Sequence, residues 1–120
     1  TIVMGDFNSM PDGPSQPASG AYTVMTDPEG LPHTHSQHPR SKHSGKMRLR
    51  EAPLPGMSPP MVSAYASVLG EEPAFTNYTR GFKGCLDYVF ISPEMEAVDV
   101  LPIPDAATVG RFGGGIPSKE

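Results

Sequence analysis

The chain has 120 residues and a formal net charge of −4, and it contains 15 prolines, 13 glycines and one cysteine. A single cysteine excludes an internal disulfide framework, and the mild acidity excludes a global positive charge that would attract nucleic acid. No apolar run approaches the length of a membrane span, so we expect no membrane partner. Any polynucleotide must therefore be held at a local site.

The chain opens with an apolar segment that ends at Gly5 and is followed at once by polar side chains. This pattern predicts a buried strand, with Asp6 and Asn8 at the point where the strand leaves its sheet. Sites of α/β folds are often built there, and carboxylate and amide groups suit phosphate esters and their metal ions. The structural alternative is a simple turn, since Asp and Asn also begin turns.

The middle of the chain alternates between irregular and ordered patterns. Residues 12–21 are rich in Pro, Ser and Gly and predict a turn followed by a short helix. Residues 31–60 follow neither a strand period nor a helix period, which predicts a long surface loop or insertion. Residues 61–70 resume a helical spacing, and Gly70 is suited to the C-terminal cap.

The predicted insertion carries histidine and basic side chains. A zinc site would need Cys or carboxylate partners at fixed spacing, so a solvated loop is the favoured interpretation of the histidines. The basic residues suit either contact with an RNA backbone or solubility. The histidines are His33, His35, His38 and His43, and the basic residues are Arg40, Lys42, Lys46, Arg48 and Arg50.

A second carboxylate, Asp87, stands in an apolar segment that continues to Ile91. Both alternating faces of this segment are largely apolar, so we expect an internal strand. Burying an unpaired carboxylate there costs roughly several kcal/mol, so Asp87 requires a cation, a histidine or a cluster of donors. The structural alternative is a carboxylate satisfied by backbone N–H groups at a strand end. A turn at residues 92–94 then predicts a hairpin with an edge strand over residues 97–101.

Two segments resemble the endonuclease/exonuclease/phosphatase superfamily, and within it the branch of Ccr4-type deadenylases, nocturnin, the Angel proteins and the 2′,5′-phosphodiesterase. The first is Gly-Asp-Phe-Asn-Ser at residues 5–9, a short signature that recurs across the superfamily. The second is Phe-Thr-Asn-Tyr-Thr at residues 75–79 with Gly-Phe-Lys-Gly-Cys-Leu-Asp-Tyr-Val-Phe at residues 81–90, which is specific to this branch. The resemblance implies an α/β fold, an incomplete part of a four-layer sandwich of two β-sheets flanked by helices.

Enzymes of this branch have a metal-binding Glu on an earlier strand and a Ser-Asp-His motif after a loop similar to residues 115–120. The resemblance therefore implies that residues 1–120 are the C-terminal portion of one catalytic domain, with a loop-like insertion at about residues 31–60. We expect this portion to be inactive without the remainder of the domain.

The resemblance implies a Mg²⁺-dependent phosphodiester hydrolase, with Mn²⁺ as a substitute ion. The expected activity is that of a 3′-to-5′ exoribonuclease, acting on single-stranded poly(A) or oligoadenylate and releasing 5′-AMP. One alternative is a 2′,5′-phosphodiesterase that degrades 2′,5′-oligoadenylate; another is an inactive relative that binds RNA or protein. The expected location is intracellular, in the cytoplasm, or in mitochondria for the 2′,5′-phosphodiesterase.

The resemblance also implies a role for each matching side chain. Asp6 would bind the metal beside the attacking water, and Asn8 would donate to the scissile phosphate or the terminal nucleotide. Asp87 would orient a catalytic histidine expected downstream. Phe82 either stacks on a substrate adenine or plugs the core beneath the site. Asn77 either bonds to a sugar or phosphate or holds its own loop.

Overall fold

The computed structural model describes residues 1–13, 18–32, 34–38, 54–111 and 115. In these ranges the strands are short and the helices have two turns at most. The strands are β1 (Ile2–Asp6), β2 (Val62–Ser63), β3 (Asn77–Tyr78), β4 (Lys83–Gly84) and β5 (Asp87–Ile91), and the helices are α1 (Gly20–Thr26), α2 (Ala64–Leu69) and α3 (Ala106–Arg111). No helix in the described ranges is long and apolar enough to cross a membrane.

The main sheet has three strands in the order β1-β5-β2, and both neighbours are antiparallel to β5. β1 pairs with β5 over its whole length, from Ile2 opposite Ile91 to Asp6 opposite Asp87. The predicted internal position of the Asp87 strand is therefore confirmed. A second antiparallel sheet is the hairpin of β3 and β4. The chain is α/β, as predicted, and the four-layer sandwich stays a prediction.

The core lies on one face of the main sheet. Tyr88 and Phe90 of β5 point to this face and are 2% and 0% exposed. Tyr22 of α1 covers them, with its ring centroid 5.3 Å from that of Tyr88 and 5.8 Å from that of Phe90. Phe7, just after β1, meets Phe90 edge to face at 5.2 Å. Aromatic pairs with this geometry contribute about 0.5–1.5 kcal/mol each beyond the area they bury.

The helix predicted over residues 61–70 is present in shortened form. Val62 and Ser63 pair with β5 as a short strand, so the helix begins only at Ala64. The Ser63 hydroxyl accepts a hydrogen bond from the backbone N–H of Ala66, which caps the first turn. Gly70 closes the helix with a φ of 83°, so the predicted glycine cap is confirmed.

The edge strand predicted over residues 97–101 is wrong. A hairpin partner following β5 would pair at Ile91, but Ile2 of β1 and Val62 of β2 already occupy both sides of that residue. The segment instead leaves the sheet without strand structure, and Val98 is 88% exposed. The predicted strand has no place beside β5 because β1 and β2 already pair with its two edges.

Two stretches with irregular sequence differ from expectation. The helix predicted within residues 12–21 begins only at Gly20 and runs to Thr26. Within residues 31–60, Leu31 is 2% exposed and pairs with Leu54, so the start of the predicted loop is packed against a later residue of it. A wholly solvated loop is therefore wrong for the described part of that stretch.

The predicted histidine-rich region is only partly described. His38 is 2% exposed, and His35 bonds through its Nε2 to the Ala18 carbonyl at 3.1 Å, so neither is a freely solvated side chain. His33 and His43, like the five basic residues between residues 40 and 50, lie outside the described residues.

Replacing the central aromatic of the core tests this account of stability. We expect Phe90→Ala to lower the free energy of unfolding by about 3–5 kcal/mol, because it leaves a cavity that a packed core cannot close. Val98→Ala, at an exposed apolar site, should change it by less than about 0.5 kcal/mol. Urea unfolding of the purified protein measures both values, and equal effects of the two substitutions would contradict the placement of the core.

Candidate active site

Two carboxylates lie side by side at one end of the main sheet. Asp6 is the last residue of β1 and Asp87 the first of β5, and the antiparallel register places them directly opposite each other. Side chains at opposed positions extend to the same face, with Cβ atoms about 4.5–5.5 Å apart. Both are exposed. Because like charges at such positions repel, the pair creates a place where positive charge is favoured.

The local backbone explains the position of the first carboxylate. The Phe7 N–H donates to the Leu86 carbonyl at 2.8 Å, so backbone pairing continues for one residue beyond the ends of β1 and β5. Asp6 Oδ1 accepts the backbone N–H of Asn8 at 2.8 Å, and Asn8 has a φ of 47°, a left-handed conformation that Asn tolerates. The structure therefore confirms that Asp6 and Asn8 lie where the strand leaves its sheet, and a turn forms there as well. The predicted burial of β1 is wrong, because β1 lies at an edge of the described sheet and only Val3 of its residues is partly buried.

The second carboxylate differs from expectation. Asp87 is exposed, so the predicted burial in an apolar strand is wrong. It begins β5 at the end of the sheet, and the buried residues of that strand start only at Tyr88. Its partner is neither a cation nor a histidine: Oδ2 accepts a hydrogen bond from the Thr76 hydroxyl at 2.7 Å.

Both carboxylates open onto a cleft of about 620 Å³. The structure places Asp6, Asn77 and Asp87 together at this cleft, while Asn8 and Phe82 lie outside its lining. The rest of the lining combines polar and apolar side chains, including Thr76, Tyr65, Val89 and Ile103. A cleft with a few convergent polar groups and apolar walls is typical of a ligand-binding site.

The hairpin of β3 and β4 carries two of the three predicted substrate-binding side chains, Asn77 and Phe82. Phe82 is 41% exposed in the turn, so the interpretation that it plugs the core is wrong in this structure. Asn77 is half-buried, and its side chain makes no hydrogen bond with the described residues. Its amide therefore does not hold its own loop within the described chain, which leaves both its donor and its acceptor for a ligand.

Oxygen atoms suitable for a hard cation are present at the carboxylate pair. Mg²⁺ is commonly held by one or two carboxylates together with water and substrate phosphates. One oxygen of each carboxylate is engaged, by the Asn8 N–H and by the Thr76 hydroxyl, which leaves Asp6 Oδ2 and Asp87 Oδ1 without a hydrogen bond among the described residues. In the same ranges no group of three or more His, Cys, Asp or Glu side chains could hold a metal. A cation here would complete its shell with water and substrate oxygens.

Another cleft of about 620 Å³ is lined by Tyr22, Glu72 and Cys85, among others. Burial raises the pKa of the Cys85 thiol to about 11, so the thiol stays protonated at neutral pH and is a poor nucleophile. Burial and the hydrogen bond of its hydroxyl to Glu72 likewise raise the pKa of Tyr22. These two groups keep their protons, and the exposed carboxylate pair is the better candidate for chemistry.

No sequence pattern predicts a role for Thr76, although it lies within the second signature. Its contact with Asp87 spans eleven positions and arises only because the β3–β4 hairpin folds back on the start of β5. The available signal was its place beside Asn77 in that signature. A hydroxyl can donate to a carboxylate, so Thr76 is a candidate partner for the carboxylate of the same sequence signature, Asp87.

Comparison with known proteins identifies the family. The model of the endonuclease/exonuclease/phosphatase family matches residues 1–109. The chain is 34% identical over 104 residues, or 86% of its length, to 2′,5′-phosphodiesterase 12 of Rattus norvegicus. It is 30% identical over 106 residues, 87% of its length, to carbon catabolite repressor protein 4 homolog 4 of Arabidopsis thaliana. It is also 34% identical over 116 residues, 94% of its length, to the CCR4-Not complex 3′-5′-exoribonuclease subunit Ccr4 of Phaeosphaeria nodorum.

The chain spans 14%, 20% and 17% of the length of these three relatives, in that order. No solved structure matches it. The family match covers both strands of the carboxylate pair and the hairpin that flanks the cleft. The chain therefore belongs to the endonuclease/exonuclease/phosphatase family.

Proposed function

We propose that the protein carrying this chain is a Mg²⁺-dependent 3′-to-5′ exoribonuclease that shortens poly(A) or oligoadenylate and releases 5′-AMP. The observation that supports it most is the opposed pair of Asp6 and Asp87 at the cleft, in a chain of this family. One relative is named as the 3′-5′-exoribonuclease subunit of a CCR4-Not complex, and that name favours RNA as the substrate.

The carboxylate pair provides what in-line hydrolysis of a phosphodiester requires. Water attacks phosphorus, the bond to the 3′ oxygen of the neighbouring nucleotide breaks, and that oxygen leaves with a proton. Asp6 holds the attacking water through its open oxygen, and the Asn8 amide donates to a phosphate oxygen. Asp6 would hold the Mg²⁺, which when bound would supply neutralising charge for the phosphate and favour ionisation of the water. Asp87 orients a histidine supplied by another part of the protein, which fixes the tautomer of its ring.

The β3–β4 hairpin is suited to hold the terminal nucleotide. Phe82 presents an exposed ring, and stacking on a base contributes about 1–3 kcal/mol. Arg80 and Lys83 of the same hairpin are exposed, which gives local positive charge in a chain whose net charge is −4. The Lys83 ammonium lies 4.6 Å from the centroid of the Phe75 ring, so its position is fixed by a cation–π contact. Asn77, at the base of the hairpin, faces the cleft.

Two other functions use the same residues differently. A 2′,5′-phosphodiesterase would cleave 2′,5′-oligoadenylate with the same carboxylates, and the name of the rat relative favours this alternative. An inactive relative would bind RNA or protein through the same cleft without turnover. Linkage preference separates the first alternative from our proposal, and turnover separates the second.

The direct test is AMP release by the complete protein from matched 3′,5′- and 2′,5′-linked oligoadenylates, with Mg²⁺ and with EDTA. We expect release that requires Mg²⁺ and prefers the 3′,5′ linkage. Asp6→Asn keeps an oxygen that can accept the Asn8 N–H but removes the charge, so turnover should fall by about a thousandfold or more while the fold is retained.

Asp99→Asn is the matched control, since Asp99 is an exposed carboxylate outside the cleft, and it should leave the rate unchanged. Turnover of Asp6→Asn within tenfold of the unsubstituted protein would remove Asp6 from the mechanism. A preference for the 2′,5′ linkage would replace our proposal with the phosphodiesterase, and binding without turnover would replace it with the inactive relative.

Specificity for adenine should depend on the exposed ring of the hairpin. We expect Phe82→Ala to raise KM for oligoadenylate by about tenfold, the equivalent of one lost stacking contact, and to affect oligouridylate less. Steady-state kinetics on the two homopolymers, with Met95→Ala as a control at another exposed apolar residue, measures the difference. Equal losses on both substrates would leave Phe82 without a role in base preference.

A further inference from the structure

The hydroxyl of Thr76 takes part in three hydrogen bonds, one to the Asp87 carboxylate and two from backbone N–H groups. It accepts the backbone N–H of Leu86 at 2.9 Å and that of Asp87 at 3.0 Å. It also lies 2.7 Å from Oδ2 of the Asp87 carboxylate. One side chain thus contacts both the backbone and the carboxylate of the same residue.

The hydrogen-bonding capacity of a hydroxyl determines the direction of these bonds. A threonine hydroxyl has one proton to donate and two lone pairs to accept. The N–H groups of Leu86 and Asp87 occupy both lone pairs, so the proton of Thr76 is directed at the carboxylate, which can only accept when ionised. The rotation of the hydroxyl is therefore fixed, and with it the orientation of Oδ2.

The same residue joins the hairpin to the main sheet. The backbone N–H of Thr76 donates to the Gly84 carbonyl at 3.0 Å, while its hydroxyl accepts the N–H groups of Leu86 and Asp87. Thr76 precedes Asn77, which lines the cleft. Hydrogen bonds of Thr76 therefore connect the hairpin that carries Phe82 to the start of β5.

We infer that Thr76 is the positioning residue of the site: its hydroxyl holds the Asp87 carboxylate opposite Asp6 and ties it to the substrate-binding hairpin. The inference rests on the proposed function for its kinetic consequence only. The claim that Thr76 fixes the position of the Asp87 carboxylate does not depend on the proposed function. Of Ser and Thr, Thr suits the task better because its γ-methyl restricts χ1 and keeps the hydroxyl in one direction.

Three substitutions in the complete protein separate the hydroxyl from the shape of the side chain. Thr76→Val keeps the shape and loses the hydroxyl, and we expect kcat to fall by about 10–100-fold with KM changed by less than about threefold. Thr76→Ser keeps the hydroxyl and should retain at least about a third of the activity. Thr76→Cys supplies a weaker donor and acceptor and should fall between the two.

A matched control and a double substitution exclude a general effect on folding. Thr26→Val removes a hydroxyl that bonds only to the Tyr22 carbonyl within α1, and it should leave the kinetics unchanged. If Thr76 acts through Asp87, adding Thr76→Val to Asp87→Asn should reduce kcat by less than about twofold further. A Ser variant as impaired as the Val variant, or a double variant showing the full product of both losses, would overturn the inference.

A crystallographic comparison decides the geometric part without reference to activity. In crystals of the Thr76→Val protein we expect the Asp87 carboxylate displaced by about 1 Å or rotated away from Asp6, a shift large enough to disable a catalytic group. An unmoved carboxylate would overturn the inference. If the unsubstituted protein hydrolyses no oligoadenylate, the proposed function fails, and the position of Asp87 in the two crystals still decides the role of Thr76. Should Thr76→Val not fold, the Ser and Cys variants provide the same comparison.

Discussion

The antiparallel pairing of β1 with β5 is the constraint on which the rest of the structure depends. Residues 7–86 separate the two strands in the chain, and their register alone makes Asp6 and Asp87 neighbours. The Tyr88 hydroxyl reinforces that register, since it lies 2.6 Å from the Ser9 carbonyl and 2.9 Å from the Cys85 carbonyl. A slip of one residue would send Asp87 to the opposite face of the sheet, because side chains alternate along a strand.

The alternation of side chains along β5 places core residues on one face of the sheet and candidate site residues on the other. Tyr88 and Phe90 face the core and carry its aromatic contacts, while Asp87 and Val89 line the cleft on the other face. The opposed carboxylates repel each other, and the buried aromatic contacts on the other face offset that cost. Conflicts between local stability and side-chain choice are characteristic of functional sites. In this chain the conflict is confined to the end of the sheet, where solvent screens the two charges.

The sequence predicts features that depend on short segments. Strand alternation locates the internal strand at Asp87, the polar residues after Gly5 locate the end of β1, and Gly70 locates the end of α2. Each of these follows from periodicity or backbone conformation within about ten residues. The resemblance of the two signatures to a family is confirmed by the family match.

Features that depend on distant segments could not be predicted in this way. The exposure of Asp87 follows from its position at the first residue of β5, and apolar alternation does not show where pairing begins. The loss of the strand over residues 97–101 follows from β2, whose two paired residues are too few to be recognised in sequence. The role of Thr76 depends on a hairpin closing over the start of β5. In each case a contact between segments distant in sequence determined the structure, and the local sequence pattern does not contain that contact.

The proposed mechanism requires Asp6 and Asp87 to belong to one catalytic centre, in which Asp6 holds the cation and Asp87 lies beside it. Anomalous scattering from crystals of the complete protein soaked in Mn²⁺, a hard cation with similar ligands, tests it most directly. The account predicts an ion within about 5 Å of both carboxylates, close enough for direct or water-mediated coordination. An ion bound elsewhere with neither carboxylate in its first or second shell, or carboxylates that do not face each other, would contradict it.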